Sequence, residues 1–168
     1  MMLEIALDAD EEWDSSRSWD ELARKAAEAA IAESAFPQLA KSDRLVEISI
    51  RLSGDDEVRA LNAEWRGKDR PTNVLSFPMV ASNELSEAKV ANNELLLGDI
   101  ILARGVCEAE AEEKGVSLER HATHLIVHGT LHLLGYDHHA EDEAADMEAR
   151  EVRALSRLGI ANPYEEAA

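Results

Sequence analysis

Histidines are concentrated in one short stretch of this chain. Of the six histidines, five lie between positions 121 and 138, and the sixth is His139. His128 and His132 are four residues apart in an apolar stretch, so on a helix they share one face about one turn apart. Two imidazoles at this spacing can bind one zinc ion, as in helical H-x-x-x-H motifs. The pair therefore predicts a metal site on a helix.

A zinc site needs at least one more protein ligand, which must come from chain that turns back towards the pair. His124 is on the same stripe, but it is separated from His132 by about 12 Å of helix rise, too far to share one ion. Gly135 permits the turn that ends the helix, and His138 follows it. We therefore predict His138 as the third ligand, with His139 as a less favoured substitute. Three ligands predict one zinc per chain, with a fourth position open to water.

Other polar residues near the predicted site have plainer interpretations. His121 and His124 are expected to face the sheet or solvent, and a role behind a metal ligand or at the substrate is the alternative. Asp99 lies inside an apolar strand, where a carboxylate is costly unless it is paired. We predict that Asp99 orients a ligand histidine from behind or caps a loop, and that Asp137 supports a metal ligand from behind or caps a helix.

A basic loop supplies local positive charge. Arg66, Lys68 and Arg70 follow a predicted helix and precede a short apolar strand. A planar guanidinium suits a phosphate that gains charge in a transition state, so Arg66 is the catalytic candidate. Lys68 and Arg70 are predicted to bind the substrate backbone. The alternative is that these residues form a solvated surface turn.

Phe77, in the short strand after this loop, could stack a base, although a core phenylalanine is the simpler interpretation.

Composition limits the class of protein. The 168 residues predict one domain, residues 1–168. Seventeen Lys and Arg against 35 Asp and Glu give a net charge of −18, which argues against a DNA-coating protein but does not exclude an enzyme with a local basic patch. A hydrophobic fraction of 45% excludes a disordered chain. The single cysteine, the acidic N-terminus and the lack of an apolar run near ~18 residues favour a cytoplasmic protein without a membrane segment.

Periodicity predicts the elements that must position these residues. Alternation in residues 3–7 and 46–52 predicts strands, followed by strands over 74–78 and 95–102, with a loop or hairpin over 79–94. Ser18, Ser53 and Ser117 are predicted N-caps of helices that run to Ala35, Trp65 and Leu134, the first closed by Pro37. Two more helices are predicted over 104–114 and 140–158. The predicted buried stripes are Val58, Leu61 and Trp65 in one helix, and Ala145, Ala149, Val152 and Leu155 in the last.

The order of these elements predicts an α+β domain. Strands cluster in the first two thirds and long helices in the last third, which favours a small mixed sheet covered by helices. The long metal-binding helix lies in the C-terminal third.

Residues 128–138 are similar to two known motifs. A metzincin protease motif requires a glutamate after the first histidine, and this chain has Gly129 there. The segment closely resembles the YbeY endoribonucleases, or rRNA maturation factors, whose signature His-Gly-x-Leu-His-Leu-x-Gly-Tyr-Asp-His it matches at every fixed position. The blocks Trp65–Pro78 and Leu97–Ile100 and the Asn162-Pro163-Tyr164 ending also resemble that family, so the resemblance covers residues 45–164.

The resemblance implies zinc bound by His128, His132 and His138, and a functionally important Arg66. It also implies cleavage of single-stranded RNA, maturation of the 3′ end of the 16S rRNA precursor and ribosome quality control. The implied partners are small-subunit ribosomal proteins and an Era-type GTPase. The competing hypotheses are another metal hydrolase, including a protease, and a non-catalytic ribosome-assembly factor stabilised by its metal. The nucleophile, zinc hydroxide or the RNA 2′-OH, stays open.

Overall fold

The computed structural model describes residues 2–14, 18–36, 39, 45–80 and 94–164. The predicted α+β class, with a small mixed sheet covered by helices, is confirmed. None of the helices in these ranges is long and apolar enough to cross a membrane. In chain order the elements are β1 (Met2–Ala9), α1 (Trp19–Ala32), β2 (Leu45–Ser53), α2 (Asp55–Arg66), β3 (Val74–Pro78), β4 (Glu94–Ala103), α3 (Arg104–Lys114), α4 (Leu118–Leu133) and α5 (Glu141–Arg157).

The four strands form one sheet in the order β1-β2-β4-β3. β1, β2 and β4 are parallel, whereas β3 pairs antiparallel with β4 at the edge. Parallel neighbours need crossover connections, and α1 provides the one between β1 and β2. The alternation predicted for β2 is present, since Val46, Ile48, Ile50 and Leu52 are buried. Their face of the sheet carries the principal core.

A bulge at Gly98 changes the faces to which β4 directs its side chains. The pairing of β2 with β4 skips Leu97 at this point. Because side chains alternate along a strand, the extra residue lets both Leu97 and Ile100 enter the principal core. Asp99 is left exposed on the other face. The bulge therefore decides on which side of the sheet this carboxylate lies.

α4 is the central helix, packed against β3, β4, α1, α3 and α5. It begins as predicted, because the Ser117 hydroxyl accepts a backbone N–H of the first turn at 3.2 Å. It ends at Leu133, and Gly135 follows with a φ of +99°. After its first turn, from His121 to Leu133, its residues are buried except His128 and His132, which are half-buried. These two face a cleft beside the sheet edge.

The buried face of α5 differs from the predicted one. Ala145 and Ala149 are exposed and Val152 is half-buried. Leu155 is buried as predicted, but the rest of the predicted stripe was wrong because the true one includes a carboxylate, which hydrophobic periodicity does not reveal. The buried residues of α5 are Met147, Glu151, Ala154 and Leu155.

Of two predicted helix caps, one is confirmed in position and the other is wrong. Ser18 stands at the N-cap of α1 without a capping hydrogen bond from its side chain. Gly54 is the N-cap of α2, and the Ser53 hydroxyl instead donates to Glu57 at 3.1 Å. The predicted terminator Pro37 and residues 81–93 of the predicted loop or hairpin lie outside the described residues.

We expect Gly98→Ala to destabilise the fold strongly. Gly98 has a φ of +147°, and a Cβ there would lie 2.2 Å from the Phe77 carbonyl oxygen and 2.8 Å from Leu133 Cδ2. The strained backbone and the backbone clash should lower the free energy of unfolding in urea by about 3 kcal/mol or more. The matched control is Gly115→Ala, at a φ of +68° with no atom within 4 Å of the new Cβ. It should cost about 1 kcal/mol, and equal losses would contradict the steric argument.

Candidate metal centre

Three histidine side chains converge at the C-terminal end of α4. His128 and His132 lie one turn apart, with their Nε2 atoms 3.0 Å from each other. At Gly135 the chain reverses, and the N–H of Tyr136 donates to a carbonyl of the last helical turn at 3.0 Å. The reversal brings the His138 ring centroid to 5.6 Å from that of His128 and 5.2 Å from that of His132. One ligand nitrogen of each residue lies within 4.8 Å of the other two.

This donor set fits a zinc ion with an open coordination position. Imidazole nitrogens that each bind one tetrahedral zinc lie roughly 3.3 Å apart, and the two Nε2 atoms of His128 and His132 are 3.0 Å apart. His139 does not belong to the set, because its exposed ring pairs with Asp137 Oδ2 at 2.8 Å. Three protein ligands would leave a bound zinc one position for water, as in catalytic zinc sites.

Glu151 of α5 orients His128 from behind. Its side chain is fully buried, and Oε1 accepts a hydrogen bond from Nδ1 of His128. The Tyr164 hydroxyl donates to Oε2. Burial alone raises the pKa of Glu151, but the nearby imidazole of His124 and hydrogen bonds from His128 and Tyr164 bring it down to about 2. A charged Glu151 keeps the His128 proton on Nδ1 and so leaves Nε2 free for a metal.

A backbone carbonyl orients His132 in the same way. Its Nδ1 donates to the carbonyl oxygen of Tyr136 at 2.8 Å, which again leaves Nε2 towards the cleft. Burial, with the charge of His128, lowers the pKa of His132 to about 4. The ring is therefore neutral near pH 7, as a metal ligand must be.

Asp137 shapes the loop that carries the third histidine. Its Oδ1 accepts the backbone N–H of His138 at 2.8 Å, and the same oxygen is 3.9 Å from His138 Nδ1. Hydrogen bonding to His138 and the nearby histidine charges lower the pKa of Asp137, although partial burial opposes them. The carboxylate thus fixes the loop backbone and holds His139 away from the metal ligands.

His121 and His124, the other two histidines of α4, are buried, so neither faces solvent. His121 Nε2 contacts Glu110 at 2.8 Å, and burial lowers its pKa. His124 Nε2 lies 3.3 Å from the Tyr164 hydroxyl and 3.9 Å from Glu151. His124 therefore stands behind the metal centre, outside the ligand set, as the helix-rise argument requires.

Arg66 and the three histidines line one cleft of about 710 Å³. Arg66 is the last residue of α2, and Gly67, with a φ of +69°, turns the chain away after it. Ser76 of β3 lines the same cleft. Lys68 and Arg70 are exposed in the turn that follows, outside the cleft lining. The structure thus brings Arg66 to the histidines and leaves the other two cations nearby on the surface.

Asp99 lies apart from the histidines. It lines a second cleft on the opposite side of β3, where Phe77 and Ile101 are also found. The reason is the bulge at Gly98, which directs Asp99 away from α4. The carboxylate behind a ligand histidine is Glu151 and not Asp99.

Sequence reasoning missed Glu151 and Tyr164. A signal was available, because Met147, Glu151 and Leu155 recur every four residues and place one carboxylate inside an apolar stripe. Such a carboxylate needs a buried partner, and the histidines of α4 were the available ones.

Known proteins similar to this chain share a family. The sequence profile of the family described as Endoribonuclease YbeY matches residues 7–159. Proteins named Endoribonuclease YbeY from Sphingopyxis alaskensis and Rhizorhabdus wittichii are 54% and 52% identical to it. Each alignment spans 164 residues, covering 97% of this chain and 98% and 97% of the two relatives.

A solved structure has a similar fold. The solution structure of a Thermotoga maritima protein superposes with a TM-score of 0.53 at 23% identity, over 97% of this chain and 100% of that one. At this identity the likeness concerns the fold alone.

We expect about one zinc per chain in the purified protein, measured by atomic emission. His128→Ala, His132→Ala and His138→Ala should each reduce this content to near zero, because each removes one of three ligands. His124→Ala and His139→Ala are the matched controls and should keep it. Equal zinc loss in His124→Ala and His138→Ala would contradict the ligand assignment.

Glu151→Gln should weaken zinc binding by about 10- to 100-fold, because the neutral amide no longer holds the His128 proton on Nδ1 by charge. Competition with a chromogenic chelator measures the affinity. Glu143→Gln, on the exposed face of the same helix, is the control and should bind zinc like the wild type. Unchanged affinity in Glu151→Gln would show that the carboxylate does not position His128.

Proposed function

The chain belongs to the YbeY family of endoribonucleases, and we propose that it cleaves single-stranded RNA at one zinc ion held by His128, His132 and His138. Its enzyme class follows from the family: it is an endoribonuclease, which acts on RNA phosphodiester bonds. The observation that supports the zinc and the mechanism is the single cleft in which these histidines and Arg66 meet.

The residues of the cleft divide the chemistry among them. A zinc ion bound there supplies a Lewis acid and an acidified water near neutral pH. Arg66 presents a planar guanidinium to the phosphate, whose negative charge grows in the transition state. Glu151 and the Tyr136 carbonyl hold the Nδ1 protons of His128 and His132 and so fix both rings. Lys68 and Arg70 hold the RNA backbone outside the cleft.

Two nucleophiles are compatible with this cleft, and the products distinguish them. Attack by the RNA 2′-OH leaves a 2′,3′-cyclic phosphate and requires that hydroxyl at the cleaved position. Attack by water does not require it, so a substrate with one 2′-deoxynucleotide at that position is still cut.

Packing around Gly129 argues against peptide hydrolysis by the zincin mechanism. That mechanism uses a glutamate directly after the first histidine as its general base. A Cβ on Gly129 would lie 3.1–3.3 Å from side-chain atoms of Ile100, so this position faces the sheet and not the cleft. A glutamate side chain would have to displace core residues there.

We propose further that the substrate is the 16S rRNA precursor, at its 3′ end, and that the protein takes part in ribosome quality control in the cytoplasm. The resemblance of residues 45–164 to the family supports this role for one domain of residues 1–168. The net charge of −18 suits contact with basic small-subunit ribosomal proteins. An Era-type GTPase is the other proposed partner.

Arg66→Ala should lower cleavage of a single-stranded RNA by about 10²-fold or more, the effect of losing one well-placed charge stabiliser. Zinc content and thermal stability should stay near wild type, because Arg66 is exposed. Arg66→Lys should recover little activity, since an ammonium lacks the bidentate fork. Lys68→Ala and Arg70→Ala should weaken RNA binding with a smaller salt dependence.

The control is Arg24→Ala, which removes an exposed positive charge from α1 and should leave cleavage unchanged. Wild-type cleavage by Arg66→Ala would make this arginine a solvated turn residue. Cleavage of casein by the zinc-loaded protein would favour the metal-protease alternative. RNA binding without cleavage would favour a non-catalytic assembly factor.

A further inference from the structure

Trp65 is a large apolar side chain left in water beside the candidate metal centre. It precedes Arg66 in the last turn of α2, and 65% of its surface is exposed. The stripe of α2 predicts that it is buried with Val58 and Leu61. Val58 is fully buried, but Trp65 projects beyond the core. Core packing therefore does not account for an indole at this position.

Trp65 stands on the wall between two clefts. One is the cleft of the histidines, and the other, here called the outer cleft, has a volume of about 930 Å³ on the opposite side of β3. Trp65, Phe77 and Pro78 line both. Apolar side chains such as Leu61 and Ile101 line the outer cleft. The indole is therefore adjacent both to the cleft of the histidines and to the outer cleft.

Phe77 holds the indole in place. The two ring centroids are 6.2 Å apart with an interplanar angle of 62°, an edge contact. Phe77 is itself half-buried and packs against the cluster of Val58, Leu75 and Ile101. A ring supported at one side and largely exposed is suited to stack a flat partner at low cost in side-chain entropy.

The charges of the outer cleft select a base over a phosphate. Asp8, Glu57 and Asp99 line it, and Arg51 is paired with both Asp8 and Glu57. Carboxylates repel phosphates, whereas a nucleobase is neutral and has an apolar face. The adjacent residue, Arg66, carries the positive charge that a phosphate needs. Trp65 therefore suits the base of a nucleotide, and the adjacent Arg66 suits its phosphate.

We propose that Trp65 is a stacking platform for a nucleobase next to the scissile phosphate, directing that base over Phe77 towards the outer cleft. This inference rests on the proposed function, in which an RNA strand crosses the metal centre. A base must leave its helix to reach the indole, so the platform selects single strands over duplexes.

The zinc-loaded protein carries its own probe for this contact. Of the three tryptophans, Trp13 and Trp19 are 2% and 4% exposed, so a quencher in solution reports on Trp65. A 2′-O-methyl single-stranded oligonucleotide, shown by gel to be intact after the titration, should quench the wild-type fluorescence. Trp65→Phe should lose the quenching and keep the affinity within about threefold. Trp65→Leu should bind about 5- to 150-fold more weakly, the effect of losing one stacked base.

An abasic oligonucleotide of the same length is the control ligand for the binding experiment. Because it has a backbone and no bases, wild type and Trp65→Leu should bind it equally. Zinc content and thermal stability should be the same in all three proteins. The platform is refuted if the 2′-O-methyl strand fails to quench the wild type, or if Trp65→Leu binds it like the wild type.

These measurements separate the two proposals. Quenching by the 2′-O-methyl strand needs no cleavage, so the platform is tested even if the wild type cuts no RNA and the proposed function fails. Cleavage that depends on Arg66, together with unchanged RNA binding in Trp65→Leu, would leave the proposed function standing and overturn the platform alone.

Discussion

The buried carboxylate of Glu151 contributes both to helix packing and to the candidate metal centre. Burying an unpaired charge costs several kcal/mol, so Glu151 is tolerated only where both of its oxygens find donors. His128 supplies one donor and Tyr164 the other. The pairing fixes which face of α5 meets α4 and which nitrogen of His128 faces the cleft. The end of the described chain is held at the metal centre by the same contact.

Close approaches of the backbone set the shape around this centre. The bulge at Gly98 lies against the Phe77 carbonyl and the Leu133 side chain, so β3, β4 and the end of α4 meet there. Gly129 lets α4 pack directly on Ile100. Gly135 then reverses the chain towards the histidine pair. With these contacts, β3 lies between the cleft of the histidines and the outer cleft, and its residues Phe77 and Pro78 line both.

The electrostatics are local and oppose the overall charge. A chain of net charge −18 repels RNA at long range. At the cleft, three histidines can bind a divalent cation, and Arg66 adds a fixed positive charge. The acidic groups of the outer cleft lie on the far side of β3. A phosphate that enters the cleft of the histidines therefore meets the positive charge of Arg66, in contrast to the acidic groups of the outer cleft.

The sequence by itself determined the features that depend on neighbours along the chain. The alternation of β2, the Ser117 cap, the stop at Gly135 and the His128–His132 spacing are set by local geometry, and the structure agrees with them. Only the tertiary structure decided the rest. Glu151 is buried because of α4, Asp99 is turned away by a bulge, and Trp65 is exposed because the core ends before it. Each depends on a contact between segments distant in sequence, and burial of a side chain is a property of its partners, which residue type and periodicity do not specify.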